Sequence, residues 1–268
     1  MRSRPERLRG GAPLAAAALI ALALTGCGKA NLRRGPRDAA AAGHSAVASR
    51  ARRRAATPAG PEVAVPLPLT SARADGFARA VSLSAADVPG TSPVRRTSTP
   101  RSQQREAEQC GERGTLALGG GRSAQLQRGD GLDRESISSA VEVLQDTAAV
   151  RSDEAYAASR AGVACYAKVL GRSLRREQSG GVRLLGLHVG RLAVTVGAAE
   201  RASGLRVTAR VGIAHSALQV PVFVDALSLP YGPAELDLYT TSFVQPVAEK
   251  TQQELLSLLR ERALLHAL

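Results

Sequence analysis

Three cysteines and four histidines are the side chains of this 268-residue sequence best suited to chemistry: Cys27, Cys110, Cys165, His44, His188, His215 and His266. No histidine is spaced to share a metal with another ligand on one helical face, and there is no His-Glu-x-x-His. A Gly-x-Ser-x-Gly elbow is absent, as is Ser-x-x-Lys with its usual companions. Gly119-Gly-Gly-Arg-Ser123 lacks the lysine of a phosphate-binding loop. The run Arg128-Gly-Asp130-Gly-Leu-Asp133 lacks the alternating ligands and closing Glu of a hand-type calcium loop, and reads as a turn. Asp225 and Asp237 fall on the polar sides of neighbouring predicted strands. Facing one another they would form a carboxylate pair; otherwise they belong to a solvated sheet face. These residues predict no catalytic centre, no metal and no cofactor.

The amino terminus carries a different chemistry. Arg2, Arg4, Arg7 and Arg9 precede the apolar run Leu14–Leu24, which leads into Leu24-Thr25-Gly26-Cys27. A basic start, a short apolar core and small residues at the cut make a secretory signal peptide. The apolar run is too short to span a hydrocarbon core, which needs about 20 residues. The cut site resembles the lipobox of bacterial lipoproteins, with Leu at −3, Gly at −1 and Cys at +1. That resemblance implies that Cys27 Sγ receives a diacylglyceryl group before cleavage. The expected result is a chain held on the outer face of the cell membrane, since two acyl chains anchor stably where one binds only marginally.

Cys110 and Cys165 then remain. Outside the membrane, paired cysteines usually oxidise, so a Cys110–Cys165 disulfide is predicted. There is no Cys-x-x-Cys spacing to suggest a redox pair.

The formal charge of +13 is unevenly spread. Residues 28–73 hold nine basic and two acidic side chains, whereas 74–268 hold 23 basic and 20 acidic ones. Nucleic-acid binding wants a basic folded face with interleaved aromatics, and the near-balance of the later part argues against it. The basic stretch suits either anionic headgroups or a solvated linker. It lacks aromatic residues and is rich in Ala, Arg, Pro and Gly, so it cannot bury enough apolar surface to offset its ordering entropy. Three segments follow: a signal peptide over 1–26, a lipidated cysteine with a disordered tether over 27–73, and one extracytoplasmic domain over 74–268.

The elements that must position any site lie in that last segment. Phe77–Leu83 reads as a short strand, Ser84 as the cap of a turn over 85–88, 91–104 as a loop and 105–110 as a short helix. Gly119-Gly120-Gly121 reads as a flexible turn. Ile137, Ser139, Val141 and Val143 alternate on one face of a strand over 136–144. Asp146 is placed to cap the first of two helices, about 147–160 and 162–176, with Gly162 and Gly171 as breaks. Extended segments follow: 182–196, interrupted near Gly190; the stretch with Leu205, Val207, Ala209, Val211 and Ile213 on one face; Leu218 to Ala226; and Leu236 and Leu238 opposite Glu235, Asp237 and Tyr239. Gly204, Pro230-Tyr-Gly232 and Pro246 mark turns. A helix over 247–266 presents Leu255, Leu256, Leu259 and Ala263 at helical spacing. The expected fold is α+β: an antiparallel twisted sheet with two consecutive central helices and a C-terminal helix packed on it.

With its segments in order, the domain resembles actinobacterial envelope lipoproteins and, more distantly, the extracytoplasmic sensor domains of receptor-type serine/threonine kinases. The resemblance rests on Val81-Ser-Leu-Ser-Ala-Ala-Asp-Val-Pro89, Ser138-Ser-Ala-Val-Glu-Val-Leu144, Ala164-Cys-Tyr-Ala-Lys168, Val220-Pro-Val-Phe-Val-Asp-Ala226 and Glu249-Lys-Thr-Gln-Gln-Glu-Leu-Leu256. It implies a non-enzymatic PsbP-like α+β domain with a possible ligand cleft. The kinase sensors typically hold two disulfides, and this chain has cysteines for one. The expected activity is ligand binding or sensing at the envelope. Envelope lipids, glycans or proteins are candidate ligands, and the alternative is a structural or chaperone-like protein that docks another. The cleft is expected between the sheet and the paired helices, near the disulfide. Tyr156, Arg160 and Tyr166 are expected to line it, because ligand sites combine aromatic and charged groups. An envelope hydrolase would instead need His188 or His215 beside a carboxylate in a deep pocket.

Overall fold

The computed structural model describes residues 68–94, 110, 117–176, 182–197, 200–213, 217–266 and 268. Cys27, His44, His215, the expected tether up to residue 67 and all but the last residue of the helix expected over 105–110 lie outside these; residues 71–73, expected at the end of the disordered tether, belong instead to the first helix.

Helix α1 spans Ser71–Val81, where a strand from Phe77 was expected. Thr70 Oγ1 accepts from the Arg73 amide and caps its start. Ala74, Phe77, Ala78 and Val81 then fall on one buried stripe at helical spacing. Ser84 starts a 3-10 turn over Ala85–Asp87, as expected. Its amide and hydroxyl both donate to the Asp87 carboxylate, at 2.6 and 2.8 Å.

Four short or medium strands follow: β1 (Ser92–Val94), β2 (Gly119–Arg122), β3 (Gln125–Arg128) and β4 (Glu135–Val143). The triple glycine is part of β2 rather than a free turn. The reason is the close approach of α1. A Cβ at Gly119 would sit 2.7 Å from Ala74 Cβ, and one at Gly121 would sit 3.2 Å from Ala78 Cβ. The Gly120 amide donates to Asp75 Oδ1 at 3.0 Å, tying the helix to the strand.

Helices α2 (Thr147–Ala158) and α3 (Arg160–Arg176) form the expected pair. Asp146 Oδ1 caps α2 by accepting from the Ala149 amide at 2.8 Å. The break falls at Ser159, whose Oγ accepts from the Gly162 amide. Gly171, expected to break the chain, lies inside α3. Strands β5 (Val182–Val196), β6 (Glu200–Ile213), β7 (Gln219–Tyr231) and β8 (Ala234–Phe243) are long and antiparallel. The irregularity in β5 lies between Leu184 and Gly186 rather than at Gly190. Gly204 is internal to β6, not a turn. Helix α4 (Glu249–Leu265) ends the described chain.

The eight strands form one sheet in the order β1-β3-β4-β8-β7-β6-β5, with β2 pairing β4 beside β3. This is the expected α+β fold. Alternation splits each central strand between two faces, and helices cover both. On one face α1 and α4 pack over Ile137, Val141, Val143, Leu227, Leu229, Leu236 and Leu238. On the other, Leu170 and Leu174 of α3 pack over Val207, Ala209, Val211, Val220, Val222 and Val224. Burying a leucine or valine side chain stabilises by roughly 1.5–3 kcal/mol, so these two layers hold the sandwich together. Cys110 and Cys165 form the expected disulfide, with Cα atoms 5.5 Å apart. It joins a fully buried Cys110 to α3. No described helix is long and apolar enough to cross a membrane.

Candidate functional site

On the α2–α3 face, only part of the sheet is sealed by apolar contact. The valine-rich end of β6 and β7 packs under α3. The other end lies beneath α2 and opens into a cleft of about 320 Å³. The registers place its floor in three rows.

In the first row Glu142 of β4 is directly opposite Glu235 of β8. In the second, Asp237 has Ala140 on one side and Ser228 on the other, Arg122 lies beyond Ala140, and Ser203 lies beyond Ser228. In the third, Tyr239 is opposite Ala226, followed by Leu205 and Arg191. The roof is helical. Asp153, Glu154, Ala157 and Ala158 descend from α2, and Tyr166 and Leu170 from successive turns of α3.

The floor carboxylates are unusually deep: Glu142, Glu235 and Asp237 are 6%, 8% and 7% exposed. Water solvates a carboxylate better than a protein interior does, so burial favours the protonated form. For Asp237 this desolvation dominates. It outweighs hydrogen bonds from Ser228 and Tyr239 and the nearby Arg122 charge, while Asp153 adds repulsion; the carboxyl is pushed up to about 6. The Tyr239 hydroxyl donates to Asp237 Oδ2 at 3.2 Å. Across the cleft, Glu154 is also raised, first by burial and then by the charges of Asp237 and Asp153. The acids of α2 and those of the sheet therefore repel one another electrostatically. Among the described residues, no group of three or more His, Cys, Asp or Glu is arranged to hold a metal ion.

The expected lining residues separate. Tyr166 lines the cleft. Tyr156 is half-buried near the α2–α3 junction, where its carbonyl accepts from Ser159, and it is not among the lining residues. Arg160 is exposed at the start of α3, also away from the lining. Helical phase explains this, because Tyr166 and Leu170 share a face four residues apart that Arg160 does not. His188 is exposed and does not line the cleft. Asp225 and Asp237 are not a pair: their register partners, Thr240 and Ser228, put them on opposite faces. Neither is on a solvated face, since helices cover both sides.

Glu142, Asp153, Glu154, Glu235 and Arg191 also line the cleft, although none of them is expected as a site residue from the sequence. A faint signal existed in Glu235-x-Asp237-x-Tyr239, three polar groups on one face of an otherwise buried strand. With helices on both faces, that pattern marks a polar interior site.

No protein-family model matches the chain, and neither a curated protein nor a solved structure is detectably similar to it.

Proposed function

We propose that this chain is an exported, membrane-anchored lipoprotein whose α+β domain binds or senses a ligand of the cell envelope without chemical turnover. The observation that carries the reading is the cleft beneath α2 and α3, an apolar-walled space with a buried charged floor. Ligand sites are clefts of this kind, mostly apolar with a few convergent polar groups. The basic start, apolar run and lipobox ending at Cys27 support the location. The resemblance to envelope lipoproteins and kinase sensor domains supports a binding role over a catalytic one.

The test is native mass spectrometry of the protein exposed to envelope lipid and glycan extracts. A reproducible added mass that disappears in Ala157→Trp, which fills the cleft, is the expected result. A bare mass across extracts, with no effect of the tryptophan, overturns it. Metabolic labelling with a fatty acid, lost in Cys27→Ser, checks the anchor.

One feature favours the docking alternative. Strand β5 ends the sheet among the described residues and runs for 15 residues. An edge of that length offers backbone donors and acceptors to a partner strand.

A further inference from the structure

We propose that the cleft takes a small organic cation, a protonated amine or guanidine joined to a compact apolar body, and that the cation enters in exchange for a proton held among the cleft carboxylates. This rests on the ligand-binding reading above and names the ligand's chemistry.

The charge inventory gives the sign. Glu142, Glu235 and Asp237 rise from the floor, and Asp153 and Glu154 hang from the roof. The cations facing them are Arg191 on β5 and Arg122 on β2; Tyr166 and Tyr239 are the remaining titratable groups. Arg191 is exposed at the margin of the sheet, where water screens it. The three floor carboxylates are nine-tenths or more buried. An anion would enter a cleft lined by five carboxylates. A wholly apolar ligand would strip the remaining water from buried charge, at large cost. A cation gains from the same burial, because charges attract more strongly where the dielectric is low.

The cavity itself gives the second half of the ligand. Ala157, Ala158, Leu170, Leu205, Val207 and Ala226 make a wall that carboxylates alone would not need. They are contributed by four separate elements, so the apolar side is built into the packing. Tyr166 and Tyr239 add aromatic rings to the lining, and such rings attract cations over their faces. The carboxylates are also not arranged to hold a metal among the described residues, which fits a diffuse organic charge better than a hard ion.

The exchange follows from the geometry. Five carboxylates in one cleft face two arginines, Arg122 and Arg191, so full ionisation leaves an excess of negative charge that a proton or a further cation relieves. With the cleft empty and the pH below about 6, a proton on the Asp237 carboxyl relieves the repulsion, in line with its upward shift. An arriving cation does the same service, so the O–H bond breaks and the proton leaves to solvent.

The experiment is calorimetric titration of the full chain in nanodiscs of zwitterionic lipid. The probes are a panel of arylalkyl ammonium and guanidinium compounds, with their alcohol and carboxylate counterparts. Cations should bind at least about tenfold more tightly than the matching alcohols, and the carboxylates more weakly still. Glu235→Gln and Asp237→Asn should each weaken cation binding about tenfold or more, with folding checked by melting, and Ala157→Trp should abolish it. For one proton released, affinity should fall about tenfold per pH unit below pH 6. Titrations in buffers of different ionisation enthalpy should show up to one proton released.

Alcohols or carboxylates that bind as tightly as the cations, and are blocked by Ala157→Trp, overturn the cation assignment and leave the binding reading standing. No binding by any probe class overturns both. Cation binding that is flat from pH 7 to 5 overturns the exchange.

Discussion

Arg206 and Asp225 are direct partners across the β6–β7 ladder, and the guanidinium grips the carboxylate at two points, 2.7 and 2.8 Å. Asp225 also accepts from Gln252 Nε2 of α4 at 2.6 Å, so one buried carboxylate ties two strands to a helix. The pair is lopsided: the Asp225 side chain is 1% exposed and that of Arg206 31%.

That asymmetry sets the first prediction. Removing Arg206 leaves a carboxylate that cannot reach water, whereas removing Asp225 leaves a guanidinium that can. Arg206→Met should therefore destabilise by about 3–5 kcal/mol and Asp225→Asn by less. Urea unfolding measures both; equal losses would show that burial is not what governs the pair.

A pH prediction concerns Asp237. Its folded pKa, about 6, lies above the ordinary 3.8, so the folded state holds the proton more tightly than the unfolded state. Stability from this group is therefore greatest at low pH and declines as pH rises through the window from about 4 to 6. At pH 7 the ionised group opposes folding by up to about 3 kcal/mol. Asp237→Asn should raise the melting temperature at pH 7 and change it little at pH 4. Asp87 acts in the opposite sense. Burial alone would raise it, but the Ser84 amide and hydroxyl and the Arg262 guanidinium hold it below its ordinary value. Its contribution is present at neutral pH and is lost only as acid protonates it below its ordinary 3.8, so the cost of Asp87→Asn should be full at pH 7 and shrink as the pH falls below that value.

The disulfide closes a separation of 55 residues. In the chain-entropy model such a loop stabilises by about 4 kcal/mol. Cys110→Ser with Cys165→Ser should lose a substantial part of that. Because Cys165 directly precedes Tyr166, amide exchange should speed up most along α3 and the cleft roof. Unchanged exchange in α3 would mean that the apolar contacts of Leu170 and Leu174 hold the helix unaided.

Gly204 sits in β6 beneath the cleft. A Cβ there would come within 2.9 Å of Leu227 Cα and closer still to the Ala226 carbonyl. Backbone cannot move aside as a flexible side chain can, so Gly204→Ala should cost about 3 kcal/mol and disturb the β6–β7 ladder. A variant within about 0.5 kcal/mol of the parent in thermal unfolding would contradict this.

Val244, just after β8, has φ of 64°, and its neighbours Phe243 and Gln245 close a three-residue turn. A β-branched residue is strained in that region, and this one is about half exposed. Val244→Gly should stabilise by roughly 1 kcal/mol in urea unfolding. A loss of stability would show that the valine side chain makes a contact outweighing the strain.

Much of the architecture is written locally. Period-two alternation in β4, β6, β7 and β8, the Asp146 cap and the apolar stripe of α4 each depend on residues within a few positions, and each was legible as a sequence pattern. The cysteine pairing followed from number and compartment. Helix α1 was missed because reading Phe77–Leu83 alone omits Thr70 and Ala74, which supply its cap and first buried position. The β2 strand was missed because three glycines carry no side-chain pattern; only the approach of α1 requires them.

The cleft belongs to the other category. Alternation shows that Glu142, Glu235 and Asp237 share faces with small residues, but not whether water or a helix covers those faces. The decision rests on α2 lying across β6, β7 and β8, and on registers that set Glu142 against Glu235 and keep Asp225 and Asp237 on opposite sides. Sequence alone therefore determined the long strands, helices α2, α3 and α4, and the disulfide. Tertiary packing decided which charges are buried together, because burial depends on what covers a face and not on the strand that carries it.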